Sequence, residues 1–501
     1  MNRQSNTDFL FDGLAALVGI FLATALIYWG AAVVLDDPAI GVVVPMPGVD
    51  DATNLRYWLA LGMAICGAVL VFRSRKNIHL TPQMAAGKPK PGKSTEPSNR
   101  PFAGPRWLWI LPLIWFGWQV LAAGQSVEQN LTTAAMKHFF TCIACYFLGW
   151  VLFRRQRARM VIFCLVVAGF LYAIWTGFAQ KYGELEATRE FYQKAYRGEL
   201  DPEVQRAFNT PEFRQIFEAP DFQKRIQSDR VYGTVMYPNT FAGAILLLLP
   251  VSLALLRFLC RNASFVVRAT LVGSLAYIGG ACLVWSGSKA GWLIAMALIG
   301  LSAFHWLRRW QAEPAAATPH RSARPATKQG EPIRQPAMNK RAVIGISVGL
   351  LAIGLAGFLF KYSDYFRRGA PSVGARFSYW NVALQIAIAR PVFGTGPGTF
   401  SIPHRQLKAP EAEMARLTHN DYLEQASDSG WVGLISYTAW IFGALIFVYR
   451  RGFPNELTFC LWLGCVGFAL QSFVEFGLYV PALAWPAMVF LGGLVGNREA
   501  S

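Results

Sequence analysis

The sequence predicts an all-α integral membrane protein of about twelve transmembrane helices with two long, helix-containing outer loops, and three observations predict it. Of 501 residues, 54% are hydrophobic and only 15% charged, against about 25% charged in soluble domains. The apolar residues gather in runs of roughly 17–25 with almost no charge, the length that crosses a bilayer. Lys and Arg concentrate in alternate connecting segments, as topology in membranes requires. A soluble enzyme, a secreted disulfide scaffold and a disordered chain are excluded at once.

Twelve apolar spans can be read in order: about 13–35, 55–72, 107–124, 133–153, 160–180, 234–257, 265–285, 288–307, 342–360, 430–449, 457–476 and 479–496. The first is too long, and too poor in preceding positive charge, for a cleaved signal peptide. Only Ser286-Gly287-Ser288 separates the seventh from the eighth. A single helix there would be about twice the bilayer thickness, so a tight hairpin is predicted.

With the N-terminus placed inside, segments 1–12, 73–106, 154–159, 257–268, 308–341, 450–456 and 497–501 are inner. They hold 27 of the 47 basic residues and seven acidic ones. The short outer loop 36–54 instead carries Asp36, Asp37, Asp50 and Asp51 and no Lys or Arg. Both termini are therefore expected in the cytoplasm.

Segments 73–106 and 308–341 are rich in Pro, Ala, Lys and Arg, the composition of flexible linkers facing anionic lipid headgroups. A net charge of +18 would suggest nucleic acid in a soluble protein. Here aromatic side chains are too sparse among the charges to form a stacking surface, so membrane lipids and no nucleic acid are expected. The eight cysteines lie in or beside apolar runs, where they read as buried small hydrophobes, the Cys142/Cys145 CxxC included. No phosphate-binding glycine loop or nucleotide fingerprint is present, so no ATP site and no cofactor are expected. Energy must come from an ion gradient or a pre-activated substrate, if it is used at all.

Chemistry is expected in outer loops 181–229 and 361–429. Loop 181–229 reads as helical and amphipathic, with Phe191, Tyr192, Tyr196, Phe213 and Phe217 among charges, a pattern for lying on the outer face or capping a cavity. Loop 361–429 is longer than a connector needs and rich in Gly, Arg, His and aromatics. His419 stands before a helical pattern, where a histidine can take a proton from a hydroxyl near neutral pH. The structural alternative is that His419-Asn420-Asp421 only caps that helix. Arg230, Lys289 and Arg376 flank outer turns. Each singly suits snorkelling to the interface; together they suit phosphate oxygens. Asp36-Asp37 would suit a hard cation, but a solvated loop that helps set topology is the stronger reading. Glu475 reads either as a proton-coupling residue or as an interfacial one, with the interfacial reading preferred.

Four segments then resemble the O-antigen ligase and polymerase family, in the family's order across about 230–435. They are Arg230-Val-Tyr-Gly-Thr-Val-Met-Tyr-Pro-Asn239-Thr-Phe-Ala; Trp285-Ser-Gly-Ser-Lys289-Ala-Gly-Trp; Arg376-Phe-Ser-Tyr-Trp380 with Arg390-Pro391 and Gly394-Thr-Gly396; and Thr418-His419-Asn420-Asp-Tyr-Leu423 with Ser429-Gly430-Trp-Val-Gly433. The resemblance implies a GT-C-like glycosyltransferase of the bacterial inner membrane with a periplasmic active site. It would pass a glycan from undecaprenyl pyrophosphate to an acceptor hydroxyl, on lipid A-core, another glycan or a protein, without metal and with inversion. His419 would be the general base, Arg230, Lys289 and Arg376 would bind the pyrophosphate, and Asn239 and Asn420 would orient or cap. One departure stands out: the family commonly has Arg where this chain has Lys289, which keeps the charge but loses the bidentate fork. A transporter or flippase is the rival from another class, but it predicts an internal repeat, and none is seen.

The expected organisation is a five-helix membrane region (1–180), an outer helical loop (181–229), central helices with an inner linker at 308–341 (230–360), a large catalytic loop (361–429) and a three-helix C-terminal region (430–501).

Overall fold

In a computed structural model of the chain, residues 3–31, 33, 49–79, 105–211, 214, 223, 226–312 and 340–497 are described. Among them every regular element is helical, and each of the twelve apolar runs coincides with a helix. In chain order these are α1 (Arg3–Tyr28), α2 (Val49–His79), α3 (Trp107–Ala123), α4 (Gln129–Leu152), α5 (Gln156–Ala179), α6 (Leu185–Arg197), α7 (Pro202–Phe208), α8 (Pro238–Leu259), α9 (Phe265–Trp285), α10 (Lys289–Ala312), α11 (Lys340–Arg367), α12 (Pro371–Ala389), α13 (Ser401–Leu407), α14 (Asp421–Arg451), α15 (Glu456–Gln471) and α16 (Pro481–Gly496). Nine helical stretches among the described residues are long and apolar enough to cross a membrane, and Trp107–Ala123, Glu456–Gln471 and Pro481–Gly496 are shorter apolar helices. The chain is a membrane protein. The predicted break at Ser286-Gly287-Ser288 is real: Gly287 has a φ of 64°, which ends α9 in a conformation open to glycine.

The chain divides into two compact units. One comprises Met1–Ser288 and Ser372–Ser501; the other is Lys289–Pro371. In the larger unit α16 is buried along its whole length. It lies against α4 where both helices carry glycine: a Cβ on Gly492 would meet the Tyr146 backbone, and one on Gly149 the Val489 backbone. Small residues let apolar helices approach closely enough for dispersion and backbone contacts to hold them where the solvent offers no hydrophobic drive. Gly464 does the same between α15 and the Leu247 backbone of α8, and Gly169 between α5 and α1.

The smaller unit is the α10–α11 hairpin. Trp292 donates from Nε1 to the Gly354 carbonyl at 3.1 Å, and its ring meets Phe358 and Tyr362 edge-on.

In the larger unit α14 is broken at Gly430, whose φ of 71° interrupts the helix. The break leaves carbonyls of the preceding turn without helical donors, and a glycine-rich segment supplies them. Thr395 N donates to Ser427 O at 3.0 Å and Gly396 N to Asp428 O at 2.9 Å, while Trp431 N donates back to Pro391 O at 2.9 Å. Gly398 N reaches the Asp428 carboxylate at 2.6 Å. Gly394, Gly396 and Gly398 all have positive φ, which is why this segment reads GTGPG: side chains there would be strained. The segment from Arg390 to Phe400 is thereby docked on the helix that His419 precedes.

Candidate functional site

The site is built from the segments that connect α8, α12, α14 and α15–α16, all within the larger unit. Asn420 is the N-cap of α14; its Oδ1 accepts from Tyr422 N at 3.0 Å and Leu423 N at 3.1 Å. Thr418 donates from its backbone N–H to the Glu424 carboxylate at 2.5 Å and from its hydroxyl to Asn420 O at 2.7 Å. With both neighbours pinned, His419 adopts a φ of 52°. A histidine in the left-handed region pays for its geometry with strain that only a surrounding network sustains.

That network sets the imidazole against Glu475, Tyr379 and Phe476. Nδ1 lies 3.1 Å from Glu475 Oε2. The ring is stacked on Tyr379 of α12, centroids 6.0 Å apart, and edge-on to Phe476 at 4.8 Å. The His419 side chain keeps 31% of its exposure, whereas Glu475 keeps 7%.

Glu475 is the point on which the other predicted residues converge. Its Oε1 accepts from Arg376 Nη2 and from Asn239 Nδ2 at 2.6 Å. Asn239 Oδ1 accepts from Arg230 Nη2 at 2.6 Å. Arg230 Nε donates to the Ser286 carbonyl at 2.7 Å, and Arg376 Nε to the Val474 carbonyl at 3.1 Å. An unbroken chain of bonds thus runs from the Ser286 turn through Arg230, Asn239 and Glu475 to Arg376 and His419. Gly287 takes part by lacking a side chain, since a Cβ there would meet Arg230 Nε at 2.9 Å.

Burial alone would push the Glu475 carboxyl up, but His419 and the Arg376 guanidinium outweigh it and hold the group below the usual carboxylate range. An ionised carboxylate only accepts hydrogen bonds, so Nδ1 of a neutral His419 carries its hydrogen toward Glu475 and Nε2 is the basic nitrogen.

Of the predicted residues, the larger unit brings together His419, Arg230, Arg376 and Asn239. Asn420 caps α14, with its side-chain oxygen committed to the helix. Lys289 belongs to the α10–α11 hairpin, where its ammonium lies 3.8 Å from the Tyr365 ring centroid and 5.2 Å from that of Tyr362. The Asp36-Asp37 pair lies outside the described residues. Among the described residues no group of three or more His, Cys, Asp or Glu is placed to hold a metal ion.

Glu475 is where reading the sequence fell short, since the interfacial role preferred for it misses its place at the centre of the network. Its partners lie 56, 99 and 236 residues away, so no local spacing pointed to them. The available signal was an acid at the end of a long apolar run, which is costly unless partnered.

No curated protein matches the chain. Residues 273–438 match the sequence model of the O-antigen ligase family. The match takes in Lys289, Arg376, the GTGPG segment and His419, while Arg230, Asn239 and Glu475 fall outside it. The stretch that supplies the histidine and one of the guanidinium groups to the Glu475 network lies within residues 273–438, which are similar to the O-antigen ligase family.

Proposed function

We propose that the protein transfers a glycan from undecaprenyl pyrophosphate to an acceptor hydroxyl at the outer face of the inner membrane, most simply O-antigen to lipid A-core. In this reading the fold is GT-C-like, all twelve apolar helices cross the bilayer, both termini are cytoplasmic and the Glu475 network faces the periplasm. The family match supports a membrane glycan ligase, and the observation that carries the mechanism is His419 held on Glu475 beside Arg376 and Arg230.

His419 Nε2 takes the proton of the acceptor hydroxyl as its oxygen attacks the anomeric carbon. The bond from that carbon to the pyrophosphate oxygen breaks with inversion, and the electron pair leaves on the pyrophosphate. Glu475 stabilises the imidazolium that forms. Arg376 and Arg230, their guanidinium planes fixed by carbonyls and by Asn239, meet the charge developing on the leaving group, a task metal ions perform in other transferases. Lys289, which belongs to the other unit, is assigned to donor binding on the family pattern alone, as a point charge where the family commonly has a fork.

The test is a reaction of purified protein with an undecaprenyl-pyrophosphate-linked glycan and lipid A-core in EDTA. Glycan on lipid A-core is the expected product. Longer lipid-linked glycan instead would mean a polymerase, and a glycosylated Ser or Thr on an added protein acceptor a protein glycosylating enzyme. No donor turnover, together with transport of the lipid-linked glycan in proteoliposomes, would overturn the reading in favour of a transporter.

A further inference from the structure

Residues 228–237, which carry Arg230, are irregular ahead of α8. Peptide groups outside a helix need partners from elsewhere in the chain, and α5 and α6 supply several of them. Val231 N donates to the Trp285 carbonyl at 3.2 Å, and the Thr234 hydroxyl to the Leu26 carbonyl at 2.6 Å. Between these two, one side chain takes three peptide groups. Gln180 Oε1 accepts from Tyr232 N at 3.0 Å and Gly233 N at 2.9 Å, and its Nε2 donates to the Gly233 carbonyl at 2.8 Å. The amide thus pairs with both backbone groups of Gly233, as a neighbouring strand would, and fills both acceptor positions of its oxygen.

Gln180 reaches this place because α5 does not run straight into α6. Residues Gln180–Glu184 form one widened turn, in which Tyr182 (φ −104°, ψ 17°) leaves helical dihedrals, and α6 then starts at Leu185. Such turns recur at functional sites. Gln180 is 5% exposed. The approach is close: Gly233 has a φ of 56°, and a Cβ on it would meet the Ala173 carbonyl of α5 at 2.9 Å. Glycine is what lets the segment close on α5.

Arg189 of α6 grips the other flank. Nε donates to the Ile226 carbonyl at 3.1 Å, and Nη2 donates to the Ser228 carbonyl at 3.2 Å and to the Asp229 carboxylate. Ser228 Oγ accepts in turn from Arg230 N at 3.3 Å. Arg230 therefore lies between residues held by Arg189 and residues held by Gln180, while its own guanidinium is bound to the Ser286 carbonyl and Asn239. A long side chain brings its charge to a fixed point only where its backbone is fixed too.

We propose that Gln180 and Arg189 are positioning residues for Arg230, and that the helical segment after α5 sets this cation against the phosphates of the donor. The amphipathic pattern of that segment pointed only to a membrane surface or a cap. The proposal rests on the proposed reaction for the task of Arg230, and on the geometry alone for how Arg230 is held.

The experiment measures initial rates of glycan transfer, with donor and acceptor titrations, for Gln180→Met and Arg189→Gln, each alone and combined with Arg230→Gln. Thr188→Ala, whose hydroxyl bonds the Glu184 carbonyl on its own side of the segment, is the control and should match wild type. Gln180→Met and Arg189→Gln should each lower kcat by about 10–100-fold with the acceptor KM within about twofold, as a displaced charge does. On the Arg230→Gln background either should cost less than about threefold, because residues that act through one group are not additive. Gln180→Glu keeps the two accepted bonds and Arg189→Lys keeps the charge. Both should retain more activity than Gln180→Met and Arg189→Gln, and they decide the matter if those two do not fold. Wild-type rates in the single variants, or undiminished losses on the Arg230→Gln background, overturn the proposal. If wild type itself transfers no glycan, the proposed reaction fails, and binding of undecaprenyl pyrophosphate without glycan decides instead. Binding at least about tenfold weaker in Gln180→Met and Arg189→Gln than in wild type, the scale of one charge-assisted contact, upholds the positioning of Arg230. Equal binding overturns it.

Discussion

His419 Nδ1 lies 3.1 Å from Glu475 Oε2, and that carboxylate is bound on its other oxygen by Arg376 and Asn239. In the proposed reaction this bond fixes which imidazole nitrogen is basic and gives the imidazolium a counter-charge. Glu475→Gln keeps the shape and removes the charge. Transfer should fall by about 10²–10⁴-fold, the scale of a mispositioned general base, in a protein that still folds. Initial rates on purified variants check it, and an unchanged rate would remove Glu475 from the mechanism.

Lys289 sits against the Tyr365 ring face, and its proposed task needs charge more than a fork. Lys289→Arg should keep transfer within about threefold, while Lys289→Gln should raise the donor KM by about tenfold, the loss expected of one charged contact. A donor titration separates the two. Equal effects of both substitutions would point to packing on the tyrosines instead of donor binding.

Gly430 breaks α14 with a φ of 71°, and a Cβ there would run into the Pro391 and Val392 backbone. Gly430→Ala should destabilise the protein by about 1–3 kcal/mol or more, through strain at positive φ and loss of the docked GTGPG segment. The measurement is the apparent melting temperature in detergent, with Gly273→Ala of α9, where a Cβ meets nothing within 4 Å, as comparison.

Acid should weaken the segment between α12 and α14 through His404. Burial among Tyr379 and Phe400, aided by the Lys408 charge, pulls its imidazole from 6.5 down to about 4. The unfolded chain therefore takes up the proton first as pH falls. The stability His404 contributes is complete above pH 6.5 and is lost as pH falls through 4. Glu475 acts likewise lower down, its contribution present above 4.5 and lost below. Melting temperatures between pH 7 and 4 should fall less steeply in His404→Phe than in wild type. Parallel slopes would contradict this assignment.

Much of the fold was legible because apolar length is a local property. Each of the twelve runs became a helix, and the break at Ser286-Gly287-Ser288 followed from length alone. Residues of the site were legible as types near turns. Their convergence was not, because it depends on pairing α8, α12 and the α15–α16 segment around α14, and glycine contacts set that pairing. Asn420 shows both readings at once: it caps α14, and by capping leaves His419 in a strained conformation aimed at Glu475. Glu475 was read too modestly because nothing within a helical turn of it carries charge, while its cation lies 99 residues away.

The most direct measurement is the rate of glycan transfer by His419→Ala beside wild type, with purified donor and acceptor in EDTA. The account predicts a loss of at least about 10²-fold, with the melting temperature near that of wild type. Transfer at the wild-type rate would contradict it, and the proton of the acceptor hydroxyl would have to leave by a group other than His419.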